Sequence, residues 1–149
     1  MNRRNCWEVL LERSEQAVDL ARQGCLVASQ RVSQLEAQLQ RLQALQADYS
    51  RKLLEAQDRA QGISYTVSYR NFLAQIGTLI ERTGKDLSAA QAVLSAARRD
   101  LQRCEREQGK YEALIEREDL RTGREQDQAE QKLMEELAIN RFVQQQRSA

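Results

Sequence analysis

The side chains here that could do chemistry are carboxylates and three cysteines, in a chain with no histidine. The densest acidic runs are Glu116-Arg117-Glu118-Asp119-Leu120 and Met134-Glu135-Glu136-Leu137. On an exposed helix such carboxylates are solvated or pair with Arg and Lys one turn away, and acid–base work would need a pocket to desolvate one of them. The absence of histidine removes Ser/His/Asp and Cys/His nucleophiles. Cys6, Cys25 and Cys104 form no CxxC pair, and nothing completes a Cys/His metal set. Gly24, Gly62, Gly77, Gly84, Gly109 and Gly123 stand singly, so no loop is built to cradle a phosphate. The residues therefore point to no catalytic, cofactor-binding or metal-binding site, and to a protein that is not an enzyme.

Two hydrophobic repeats dictate where these side chains must sit. Backward from Leu53, one runs through Tyr49, Gln46, Leu42, Leu39, Leu35, Val32, Ala28, Cys25, Ala21, Val18, Ser14 and Leu11 to Trp7. Forward from Leu73, the other runs through Ile76, Ile80, Thr83, Leu87, Ala90, Leu94, Ala97, Leu101, Cys104, Gln108 and Tyr111 to Ile115. Every step is three or four residues, which draws one stripe along each of two helices. If the chain folds back at Gly62-Ile63-Ser64, Leu53 faces Leu73, Leu35 faces Ala90, Ala28 lies beside Ala97, and Leu11 faces Ile115. The expected fold is all-α, a long two-helix antiparallel coiled-coil hairpin with a C-terminal helical overhang. It forms one domain over 1–149, with helix one at about 5–61, a turn at about 62–64 and helix two at about 65–143. Gly62 suits the left-handed position that ends a helix, and Ser64 can cap the next. Two layers, Gln46 with Ile80 and Leu42 with Thr83, carry a polar group into the seam, so the hairpin should be marginally stable and bendable. Cys25 and Cys104 fall on the seam, where a thiol packs as a small hydrophobe.

Composition agrees with long helices. The 149 residues contain no proline, 30% are charged and 5% aromatic, and the net charge is +1 with neither sign gathered into a block. A polyanion-binding protein would show a basic excess, so nucleic acid is disfavoured. No apolar run approaches the ~20 residues that span a bilayer, and no segment joins a strongly cationic face to a broad apolar one. Glu8 and Glu12 interrupt the N-terminal apolar patch, which reads as a mature cytosolic start rather than a signal peptide.

Apolar residues in excess of the seam mark where a partner could dock. Near the turn a second stripe adds Leu45 beside Leu42 and Tyr49, and Tyr69, Phe72 and Leu79 beside Leu73, Ile76 and Ile80, with Ile63 and Tyr65 at the bend. Surface that the partner helix cannot cover, rich in Tyr and Phe, suits an interaction face. A wrap of aromatic rings over the hairpin end, or a homodimer contact, would use the same residues. A weaker surplus of Leu10, Ala17, Leu20 and Val27 flanks the seam towards the other end. Residues after Asp119 have no partner inside the hairpin, yet Leu133, Met134, Leu137 and Ile139 restore apolar character. They read equally as a frayed tail or as a helix that orders inside a partner.

The segments CWEVLLERSEQAVDLA, LQALQADYSRKL, the GIS turn, YRNFLAQIGTLIE and EQKLMEELA resemble, in order and spacing, the FliJ family of flagellar type III export components. The family more often has Asp where Glu135 or Glu136 stands. The resemblance implies a stalk-like coiled coil that docks in the hexameric export ATPase (FliI-like) and binds the cytoplasmic domain of the export gate protein (FlhA-like). It implies a general chaperone or escort role, with the ATPase regulator and export chaperones as further candidate partners. It also implies a cytoplasmic location, peripheral at the inner membrane, with no direct membrane insertion. Carried over by position, gate binding falls on Gln38, Leu42, Leu45, Tyr49, Phe72, Ile76, Leu79 and Thr83. Leu45 and Thr83 stand where relatives can have Tyr and His. ATPase docking falls on Trp7, Leu10, Leu11 and Val18, and on Leu133, Met134 and Leu137 of the overhang. An injectisome stalk protein of the YscO type, or a self-associating structural coiled coil, are the alternatives.

Overall fold

A computed structural model describes residues 3–59 and 62–148. Two helices account for its regular structure, α1 over Arg3–Asp58 and α2 over Ile63–Arg147, with no strand among the described residues. The all-α hairpin expected from the repeats is the fold the chain adopts. Helix-favouring Ala, Leu, Gln, Glu and Arg dominate both helices, and no proline interrupts them. Pairs one turn apart add small increments, among them Arg4–Glu8 at 2.8 Å, Arg51–Asp48 at 2.6 Å and Lys85–Glu81 at 3.6 Å.

The turn differs from its expected chemistry. After α1 the Arg59 N–H donates to the Glu55 carbonyl at 3.0 Å. Residues 60 and 61, which the repeats assign to helix one, lie outside the described residues. Gly62 does not take a left-handed conformation, and a Cβ there would meet only Ser64 Oγ at 3.9 Å. It occupies the position just before α2, with its carbonyl accepting the Tyr65 N–H at 3.0 Å. Ser64 is already inside the helix and is not its cap. Glycine serves at a helix N-cap at little cost, so no left-handed residue is needed to begin α2. At its other end α2 runs past residue 143 to Arg147.

The helices pair within two compact units, one of Asp19–Arg103 and the other of Met1–Val18 with Cys104–Ala149. In the first, buried Ala28, Val32 and Leu94 form a core against which Leu87, Ala90 and Ala97 pack. Positions 28 and 97 thus share one cluster, as the antiparallel register requires. Leu35, Ala56, Ile76 and Thr83 are buried as well, and Ala56 carries the stripe three residues beyond Leu53. Gln46 departs from the expected seam and is exposed, while Ile80 is half-buried. An unpartnered amide is cheaper in water than in an apolar layer, and the long side chain can reach solvent.

In the second unit Val18, Ser14, Cys104 and Glu118 are buried, and the Ser14 hydroxyl donates to the Leu11 carbonyl at 2.7 Å. Leu11 and Ile115 line one concavity, in keeping with their expected pairing. Trp7 and Glu118 share a cleft, and the Trp7 ring tilts onto Tyr111 with centroids 6.4 Å apart. Cys6 is exposed, Cys25 half-buried and Cys104 buried, each as a thiol. Among the described residues no helix is long and apolar enough to cross a membrane.

Candidate docking surfaces

The unit that contains the turn carries the aromatic surface. The Tyr49 ring packs on Phe72 with centroids 4.5 Å apart and on Tyr69 at 6.0 Å, and Lys52 Nζ stands 5.0 Å from its centroid. This contact joins the flank of α1 to the flank of α2 on the same side of the seam. Leu45 lies one turn before Tyr49, and Leu79 lies two turns after Phe72, so all four residues border one face. Phe72 remains 38% exposed and Leu79 45%, which makes them apolar side chains the hairpin only half covers. Rings wrapping one another and apolar surface left open are therefore both present.

The other residues expected on this face are distributed unevenly. Gln38 and Leu45 are exposed, and Leu42 and Tyr49 are half-buried. Ile76, 2% exposed, and Thr83 belong to the seam itself and hold the face in place from beneath. Sequence reasoning passed over Leu54 and Val67, both exposed. Leu54 follows the seam residue Leu53 and Val67 lies between Tyr65 and Tyr69, but neither falls at the three- or four-residue spacing of either stripe. Ile63 and Tyr65 are exposed at the start of α2, as their place at the bend suggested.

The unit that contains the termini carries the second surface. Trp7, Leu10 and Leu11 are half-buried and Val18 is buried, so Val18 supports the surface rather than forming it. Arg4 donates to Asp119 Oδ1 at 2.6 Å. That hydrogen bond, with the charges of Asp119 and Glu8 nearby, tightens the guanidinium's hold on its proton. The pair is solvent-exposed and joins the start of α1 to the last stretch of α2 that has a partner helix.

From Arg124 to Ser148 every residue is exposed. Leu133, Met134 and Leu137 lie there, together with Ile139, Phe142 and Val143, and Met134 is 72% exposed. At about 100° per residue, Leu133, Leu137 and Met134 fall within one arc while Ile139 and Val143 lie on the opposite side. A helix apolar around much of its circumference suits burial on several sides at once. Phe142 and Val143 extend the apolar set beyond the residues that periodicity singled out.

Among the described residues no group of three or more His, Cys, Asp or Glu side chains gathers as a metal site. What both surfaces offer is apolar contact area bordered by charge. Residues 7–147 match a family model described as the flagellar FliJ protein. No curated protein and no solved structure matches the chain.

Proposed function

This chain belongs to the flagellar FliJ protein family, and from that premise we propose that it couples the export ATPase to the export gate by holding each through a separate surface. Membership gives it a flagellar export-associated role, in a family of export components rather than of known enzymes. In the proposal Leu45, Tyr49, Phe72 and Leu79 contact the cytoplasmic domain of the gate, with Gln38 and Leu42 at the margin and Ile76 and Thr83 as support. Trp7, Leu10 and Leu11, backed by Val18, together with Leu133, Met134 and Leu137, enter the hexameric ATPase ring. The chain works in the cytoplasm at the membrane face, and an escort role for export chaperones and the ATPase regulator would use the same surfaces.

The observation that carries this reading is the half-covered apolar face that the Tyr49–Phe72 contact assembles from both helices. Fully burying a large apolar side chain yields roughly 1.5–3 kcal/mol. With Phe72 38% and Leu79 45% exposed, covering what remains of the two would add on the order of 1–2 kcal/mol, enough for about a tenfold change in affinity. The exposed apolar helix after Arg124 supports the ring-docking half, because water alone gives it no partner. The family matched is flagellar, which weighs against the injectisome stalk.

Substituting Phe72→Ser and Leu79→Ser together should weaken binding to the gate's cytoplasmic domain at least tenfold in calorimetric titration, with the helical circular dichroism unchanged. Undiminished affinity would contradict the gate assignment. The rival, a self-associating coiled coil, would use the same aromatic end as its own dimer face, where Tyr65, Phe72 and Leu79 are exposed. Light scattering over a concentration series separates the two, since a stable dimer that shields Phe72 would favour the rival.

A further inference from the structure

Trp7 opens into a cleft of about 760 Å³ whose wall combines apolar side chains with arginines. Leu114 and Leu120 line it beside Trp7, and Arg3, Arg117 and Arg124 surround them. Leu120 is 58% exposed, so the apolar floor is open to a partner. Arg117, Arg121 and Arg124 recur at helical spacing on α2, while Arg3 comes from α1. Their pairing states differ. Arg121 is tied to the nearly buried Glu118 carboxylate at 2.5 Å. Arg3, Arg117 and Arg124 make no ion pair among the described residues, although carboxylates are abundant nearby.

We infer that this cleft receives an acidic amphipathic segment of a partner protein, its carboxylates reaching Arg3, Arg117 and Arg124 and its apolar side chains resting on Trp7, Leu114 and Leu120. Guanidinium forks match carboxylates in two-point geometry and are weakly hydrated, so they suit an interface better than lysines would. Two features favour a polypeptide over nucleic acid. Glu116 also lines the cleft and breaks its positive charge into separate points that do not match a continuous phosphate backbone, and the chain's net charge of +1 provides no wider basic field. An acidic helix can instead place its carboxylates over the arginines and its leucines over the floor, because those side chains alternate around it. The inference rests on the docking role proposed for this unit and adds the chemistry of what docks.

The test uses the full chain and a labelled synthetic peptide with Glu at i, i+4 and i+7 and Leu and Phe between. Its readouts are the peptide's anisotropy and the emission of Trp7, the chain's one tryptophan. Saturable binding that shifts Trp7 emission is expected, weakening at least tenfold at about 0.5 M salt, where the screening length is only a few ångströms. Arg117→Glu with Arg124→Glu should lower affinity at least tenfold while restoring affinity for the same peptide with Lys in place of Glu. Leu120→Ser should weaken binding without altering the charge preference. The inference is overturned by absence of saturable binding, by binding that leaves Trp7 emission unchanged, by indifference to the charge reversal, or by tighter binding of a single-stranded oligonucleotide. Because no ATPase is present, these outcomes leave the ring-docking proposal standing, and that proposal fails separately if substitutions at Leu133, Met134 and Leu137 leave ATPase binding intact.

Discussion

At the residue scale, about 40° of rotation around α2 separates a side chain that holds the hairpin together from one that a partner could touch. Ile76 and Phe72 are one turn apart, yet the first is buried and the second open. Ile76→Ala should therefore destabilise the protein by about 2–5 kcal/mol in urea denaturation. Phe72→Ser should cost far less, because much of its ring already meets water. Equal costs would mean that Phe72 is a core residue and no docking face exists. The sequence made Leu45, Phe72 and Leu79 legible because each flanks the stripe at helical spacing. It also placed Ile76 and Thr83 in the seam, where both are buried. It could not say that Gln46 at a seam position would turn out to solvent, since seam and flank differ by less than one residue's turn around the helix. The arginine cleft was illegible for another reason. It depends on Arg3 meeting residues far along the chain, and on which arginines are already occupied by Glu118, Asp119 and Glu8.

At the scale of the elements, the period of the repeats was enough to place both helices and their register, because three- and four-residue steps admit one stripe each. The chemistry of the turn was not legible, since a lone glycine fits either the end of one helix or the start of the next, and only the backbone decides. Its position before α2 has a consequence. Gly62→Ser should leave stability unchanged or raise it by a few tenths of a kcal/mol, as serine caps at least as well as glycine. A glycine held in the left-handed region would instead lose about 1–2 kcal/mol, and a loss of that size in thermal unfolding would refute the assignment. Gly24 and Gly109 lie within helices where an added Cβ meets nothing within 4 Å. Changing either to alanine should stabilise the protein by roughly 0.5–1 kcal/mol, and a decrease would show that the site needs its glycine. Helix α2 beyond Gly123 buries nothing in its own chain. Deleting residues 124–149 should leave the unfolding midpoint nearly unchanged, whereas a marked drop would mean that the segment packs against the hairpin.

At the scale of the whole molecule, the family assignment and the chemistry of the surfaces lead to one account. The hairpin presents apolar area in places its own helices do not cover. Coupling then requires that the gate and the ATPase be held at the same time by different residues. The most direct measurement immobilises the gate's cytoplasmic domain, adds this chain, and then passes the ATPase over the surface. The ATPase should be retained only when the chain is present. Phe72→Ser with Leu79→Ser should lose the chain from the gate while it still binds the ATPase in solution, and Leu133→Ser with Leu137→Ser should do the reverse. If the ATPase instead displaces the chain from the gate, the two surfaces compete and the coupling account is wrong.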